Sequence, residues 1–191
     1  MGTGAGVEAT GAAVRSAGCL ILSGMPGAGK STVAPLVAAH HERAAQISGD
    51  VLSYMVVQGR VGFQGRPAEE SRRQLRLCAR NMCTLANNFA ENGIFPVIEY
   101  TVADRELLDL MVAMLRPGPV MFVVLAPPVE VCRERNATRA AVARVDYDVA
   151  PFYRAMEEEL AGVGWWLDSA ALTAEQTAAA IVAGARDEAV V

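Results

Sequence analysis

The chain has 191 residues, 52% of them hydrophobic and 20% charged, which suits one sizeable core and excludes wholesale disorder. Its formal net charge of −4 argues against a protein that coats nucleic acid, since displacing counterions needs a basic surface. The longest uncharged apolar stretch, between Arg116 and Glu130, contains four prolines and falls short of the roughly 20 residues of a membrane span, so no membrane partner is expected.

Residues 1–18 read as a flexible Gly/Ala leader that lacks the basic and apolar regions of a signal peptide. Residues 19–191 form a single domain in which short apolar runs alternate with helical patterns, the signature of α/β architecture with a parallel sheet. The first strand is Cys19 to Ser23. A Gly-rich turn leads to a helix from about Gly29 to His41, which must accommodate Pro35 by a kink or early break. A second strand, Ala44 to Ser48, ends at Gly49-Asp50. Val51 to Gly65 mixes a short helix with loop. Pro67, Glu69 and Glu70 then open a long helix, with proline early and acids in the first turn, that stops at Asn92-Gly93.

A third strand spans Phe95 to Tyr100, followed by a helix from about Ala103 to Leu115 and a fourth strand, Val120 to Leu125. Helix Val129 to Arg135 leads into the Arg-rich segment Asn136 to Asp148, and another helix runs to about Leu160. The fifth strand is Trp165 to Leu167, framed by Trp165 and Trp166 as core residues. Thr173 and Gln176 make a capping box for the last helix. Cys19, Cys78, Cys83 and Cys132 show no CxxC pair, and the adjacent His40 and His41 lack zinc-finger spacing. Reduced, partly buried thiols and a cytoplasmic location are expected.

Gly24-Met25-Pro26-Gly27-Ala28-Gly29-Lys30-Ser31 satisfies G-x-x-x-x-G-K-[ST]. The glycines let backbone N–H groups turn inward around phosphate oxygens, and the following helix adds its positive end. Lys30 bridges the β- and γ-phosphates, the Ser31 hydroxyl ligates Mg²⁺, and Thr32 follows in the same turn. Lys30 is the only lysine among 17 Lys and Arg residues, and it stands where the motif requires one. The motif implies binding of ATP or GTP. A switch GTPase would add DxxG and NKxD motifs, which are absent, and a motor or AAA-type ATPase usually needs a longer chain. At this length the loop most often belongs to a small kinase.

The series GMPGAGKST, ISGD, PVIEYT followed by DR, VVLAPPVEVCRERNATR and WLDSAALTAEQ resembles small P-loop kinases, in particular the group of chloramphenicol phosphotransferase, zeta-toxin-type kinases and the kinase domain of polynucleotide kinase. The resemblance runs from about Cys19 to Ile181. It implies a five-stranded parallel sheet in order 2-3-1-4-5, with an Arg-rich lid at about 133–148. Ligands would sit at the C-terminal edge of the strands, as the physics of open α/β sheets also indicates. The acceptor region, about 51–80, matches no particular member.

In the resembling kinases an aspartate at the position of Asp50 approaches the acceptor hydroxyl, taking or orienting its proton; the alternative is a turn or N-cap aspartate. Glu99 resembles a Walker-B acid with glutamate in place of aspartate, and would serve a Mg²⁺-bound water or the acceptor. Thr101 and Arg105 resemble a D-x-T…R pattern, with Arg105 either binding substrate or solvated on its helix. Arg133, Arg135, Arg139 and Arg144 cluster after the fourth strand, where lid arginines would stabilise charge on the transferring phosphoryl group. Arg139 is the first choice for phosphate and Arg135 the second, with base stacking an alternative role for Arg135. Arg72, Arg76 and Arg80 share one helix face, more in keeping with solvation than with an anionic acceptor. Phe63 either lines an acceptor pocket or tucks into the core.

The resulting expectation is a Mg²⁺-dependent enzyme that moves the γ-phosphoryl group of ATP or GTP to a hydroxyl of a small molecule, with Lys30, Asp50, Arg135 and Arg139 as its catalytic residues. An antibiotic is the sharpest acceptor guess. The rivals are a metabolic nucleoside, sugar or cofactor kinase, a zeta-like nucleotide-sugar kinase, and a non-catalytic nucleotide-binding regulator. No nucleic-acid partner is expected, and a homodimer is left open.

Overall fold

The computed structural model describes residues 18–138, 144–145 and 147–191. Most of the expected leader, and Arg139 within the expected lid, lie outside the described residues. Five strands, β1 (Cys19–Gly24), β2 (Ala44–Ser48), β3 (Phe95–Glu99), β4 (Val120–Leu125) and β5 (Trp165–Leu167), form one parallel sheet in the order β2-β3-β1-β4-β5. Every residue of β1, β3 and β4 is buried, which explains why these strands read as unbroken apolar runs without alternation.

The helices are α1 (Lys30–Ala39), α2 (Gly49–Tyr54), α3 (Ala68–Glu91), α4 (Arg105–Met114), α5 (Val129–Thr138), α6 (Ala150–Glu159) and α7 (Ala174–Glu188). α1 packs against α7 and β3, while α3 packs against β3, α2 and α4. The buried residues of α3, Ser71, Cys78, Ala79, Met82, Cys83 and Ala86, recur at helical spacing and turn one stripe toward the core. All four cysteines are buried and free.

Two details depart from expectation. α1 continues through Pro35 to Ala39, so the early break does not occur. α5 continues past Arg135 to Thr138, drawing the first residues of the Arg-rich segment into helix. The Thr173–Gln176 capping box forms as the sequence indicates. A pairing that no pattern announced fills the N-terminal half of β4, where β5 does not reach. There Val190 bridges Met121 in antiparallel sense, flanked by hydrogen bonds from Phe122 to Ala189 (2.7 Å) and from Val191 to Val120 (3.0 Å).

The parallel register decides where chemistry converges. Leu22 stands beside Glu99 and Glu99 beside Ser48, while Gly24 stands beside Leu125. The loop after β1, the turn into α2 and the exit of β3 therefore leave the sheet side by side at its C-terminal edge, the ligand edge of open α/β sheets.

Candidate active site

Gly24 closes β1 at φ 140, and a side chain there would press on the Leu125 carbonyl 2.6 Å away and on Ala28. Met25 and Ala28 bury their side chains almost completely, and the Ala28 N–H donates to the Met25 carbonyl (3.0 Å). These contacts root the loop by its apolar residues and leave its backbone for a ligand. Gly27 (φ 87) and Gly29 (φ 107) adopt left-handed conformations, which only glycine takes without strain. A Cβ at Gly27 would overlap the Cys132 carbonyl of α5.

α1 begins at Lys30 with Gly29 as N-cap; no side chain caps it and no acid stands in its first turn. Its N-terminal amides and positive dipole end are thus left to an anion, so the loop fits a nucleotide phosphate. The Lys30 ammonium, on the inner side of this turn, donates to the carbonyls of Gly24 (2.8 Å) and Met25 (3.1 Å). Ser31 and Thr32 are exposed at the helix start. Glu99 is only 5% exposed at the end of β3. Among the described residues no group of three or more His, Cys, Asp or Glu side chains could hold a metal ion.

Asp50 occupies the first turn of α2, where the helix dipole favours a carboxylate, and it is exposed. Its turn is braced from two sides. A Cβ at Gly49 would overlap the Tyr100 ring, and the Cys78 thiol donates to the Gly49 carbonyl (3.3 Å). Burial pushes the Cys78 thiol up to about 11; the hydrogen bond with Tyr100 opposes that rise and the nearby Asp50 charge adds to it. The Tyr100 hydroxyl is pushed up by burial first, with Cys78 and Asp50 adding.

Arg135 reaches back from α5 to the phosphate loop, its Nη1 donating to the Ala28 carbonyl (3.3 Å). Arg133 instead pairs with Asp148 (2.6 Å). Arg105 pairs with Asp109 one turn along α4 (2.7 Å), both largely exposed, which matches the solvated alternative. Arg76 pairs with Glu106, also on the surface. Phe63 packs its ring 4.6 Å from Phe152 of α6, joining the loop before α3 to the helix that follows the Arg-rich segment.

Several contributors escaped the sequence. Gln74 accepts from the Val61 N–H and donates to the Gly59 carbonyl, both at 2.8 Å, and the Ser71 hydroxyl donates to the Gly62 carbonyl (2.8 Å). Together they fasten the 59–62 loop to α3. Asn136 clamps Val145 through both its carbonyl (3.0 Å) and its N–H (3.2 Å). No local pattern marks these residues, because each acts on a loop several residues away in sequence.

No helix among the described residues is long and apolar enough to cross a membrane. No curated protein matches the chain in sequence. Among solved structures it is similar to an unliganded sugar kinase from Janibacter sp. HTCC2649, with 18% identity over 87% of this chain and 93% of that one and a TM-score of 0.64. The tunicamycin resistance protein of Deinococcus radiodurans aligns with 19% identity over 87% and 94% of the two chains, at a TM-score of 0.62. A gluconokinase from Sinorhizobium meliloti 1021 aligns with 18% identity over 90% and 93%, at 0.57. At these identities the likeness is one of fold. The model of the AAA_33 family, described as an AAA domain, matches residues 20–154, from β1 through the phosphate loop and lid region into α6. That span is most of the chain, and the protein belongs to this family of P-loop proteins, with the fold shared by small kinases.

Proposed function

We propose that the protein is a cytoplasmic kinase that transfers the γ-phosphoryl group of ATP or GTP to a hydroxyl of a small molecule. The observation that carries this reading is the side-by-side exit of the phosphate loop and the Asp50 turn from one sheet edge, with Glu99 between them in register. A nucleotide sensor has use for the loop but none for an exposed carboxylate at the same sheet edge. In the proposed reaction the loop amides and Lys30 bind the phosphates, and Ser31 and Glu99 serve the Mg²⁺ that neutralises their charge. Asp50 orients or deprotonates the acceptor hydroxyl, and Arg135 and Arg139 act on the charge of the transferring group. Four buried free thiols accord with a reducing compartment.

The surroundings of Asp50 favour an acceptor with an apolar body. Tyr54, one turn after Asp50 and so on the same side of α2, is more than half exposed, as are Val51 and Met55 nearby in the chain. Arg60 covers the Tyr54 ring at 4.3 Å. Such a lining suits a bulky, partly apolar alcohol, as many antibiotics are, better than a polyol or sugar acid. The shared fold with a tunicamycin resistance protein agrees with that choice but does not carry it.

The test is a screen of hydroxyl compounds, antibiotics and polyols included, with γ-labelled ATP and GTP. Label transferred to an apolar alcohol supports the full reading, and label transferred only to polyols moves it to a metabolic kinase. Nucleotide binding without transfer to any compound favours the regulator.

A further inference from the structure

The exit of β3 is stitched to the end of β1 by three consecutive residues. The Tyr100 N–H donates to the Leu22 carbonyl (3.2 Å), the Val102 N–H to the buried Ser23 hydroxyl (3.0 Å), and the Thr101 hydroxyl to the Gly24 carbonyl (3.1 Å). The last of these acceptors is shared. Gly24 also receives the Lys30 ammonium at 2.8 Å, so both lone pairs of the carbonyl that opens the phosphate loop are taken. One of the two donors is the lysine that a triphosphate recruits.

We propose that Thr101 is a positioning residue of the phosphate loop, holding the Gly24 carbonyl in place when Lys30 turns from it to a phosphate. A carbonyl at this part-buried position is costly to leave bare, and Gly24 has no freedom to turn it away. Its pairing with Leu125 at the end of β1 holds the peptide in the sheet. Thr101 supplies the second donor, so the loop keeps its shape while its lysine changes partner. The neighbouring Tyr100 abuts Gly49, so the same short segment also braces the turn that carries Asp50. This inference rests on the triphosphate occupying the loop, as in the proposed function.

Two measurements test it. The first is a stability cycle on the protein alone, with Lys30→Ala, Thr101→Val and the double variant compared by thermal unfolding. Each single variant leaves one donor on Gly24 and should shift Tm little, whereas the double variant should fall more than about 2 °C below the sum of the two. Additive shifts overturn the proposal. The second is calorimetry with ATP and Mg²⁺. Thr101→Val should bind about fivefold to tenfold more weakly than wild type, and Thr101→Ser, which keeps the hydroxyl, should recover the affinity. Unchanged affinity in Thr101→Val, or a Thr101→Ser variant as weak as Thr101→Val, overturns the proposal and leaves the kinase reading standing. A wild-type protein that binds neither ATP nor GTP would overturn both.

Discussion

Gly27 of the phosphate loop lies directly against the carbonyl of Cys132, so closely that the loop has no room for a Cβ at this position. Cys132 belongs to α5, the helix from which Arg135 reaches the Ala28 carbonyl. The phosphate loop is therefore seated on the helix that carries Arg133 and Arg135, and the two meet without an intervening side chain.

Gly27→Ala should accordingly damage both stability and binding. A left-handed non-glycine residue and a forced separation from Cys132 together cost about 2 kcal/mol, which in a domain of this size lowers Tm by roughly 4 to 8 °C. A thermal melt checks the first effect and ATP calorimetry the second. A variant with wild-type Tm would mean that the loop does not rest on α5 as described.

Lys30→Ala should keep the fold, since the side chain spans part-buried carbonyls at the surface of the loop and Thr101 still donates to Gly24. Triphosphate affinity should fall and turnover should vanish. Circular dichroism, calorimetry and a turnover assay separate these three outcomes.

The two arginines of α5 should divide by their partners. Arg133→Ala removes an exposed pair with Asp148, a class of interaction worth little, and should leave transfer near normal. Arg135→Ala removes a guanidinium that reaches the phosphate loop and should lower kcat by roughly 10²- to 10³-fold, the usual effect of losing one donor to a transition-state anion. Steady-state kinetics on the two variants decide it, with kcat falling more than nucleotide affinity in the second.

The buried thiols should make stability fall at high pH. Cys78 and Cys83 are raised by burial from the ordinary 9.0 to about 11 and about 12. Below pH 9 they are protonated in both the folded and unfolded chains. Above it the unfolded chain releases protons that the folded chain retains, so stability declines as pH rises toward the folded values. Each group contributes a slope of up to about 1.4 kcal/mol per pH unit. Urea midpoints measured across this range should drop, and the double variant Cys78→Ala/Cys83→Ala should show a shallower decline.

Much of this arrangement is legible in the sequence, for physical reasons that differ by element. β1 and β4 show themselves because strands covered on both faces must be apolar throughout. The phosphate loop shows itself because its geometry demands glycine at fixed places and a lysine after them. Pro35 does not end α1, which runs on to Ala39. Arg105 and Phe63 show the limit of reading residue types alone. An arginine near a strand end and an aromatic in a loop each fit two surroundings, and their neighbours, Asp109 for Arg105 and Phe152 for Phe63, come from tertiary structure that residue type does not encode. Gln74, Ser71 and Asn136 hold loops through tertiary hydrogen bonds, and no periodicity encodes such partners.

The most direct test of the kinase reading compares wild type with Asp50→Asn in two assays, γ-phosphoryl transfer to an acceptor found by the screen and nucleotide binding by calorimetry. The substitution keeps the shape of the side chain and removes its charge and its capacity to accept a proton. Asp50 stands in the exposed first turn of α2, apart from the loop that binds the phosphates. Transfer should therefore fall by roughly 10²- to 10⁴-fold while nucleotide affinity stays within about twofold of wild type. Near-normal transfer by Asp50→Asn would contradict the assignment and move the search for the acceptor base to Glu99, and loss of nucleotide binding would instead place Asp50 in the Mg²⁺ shell.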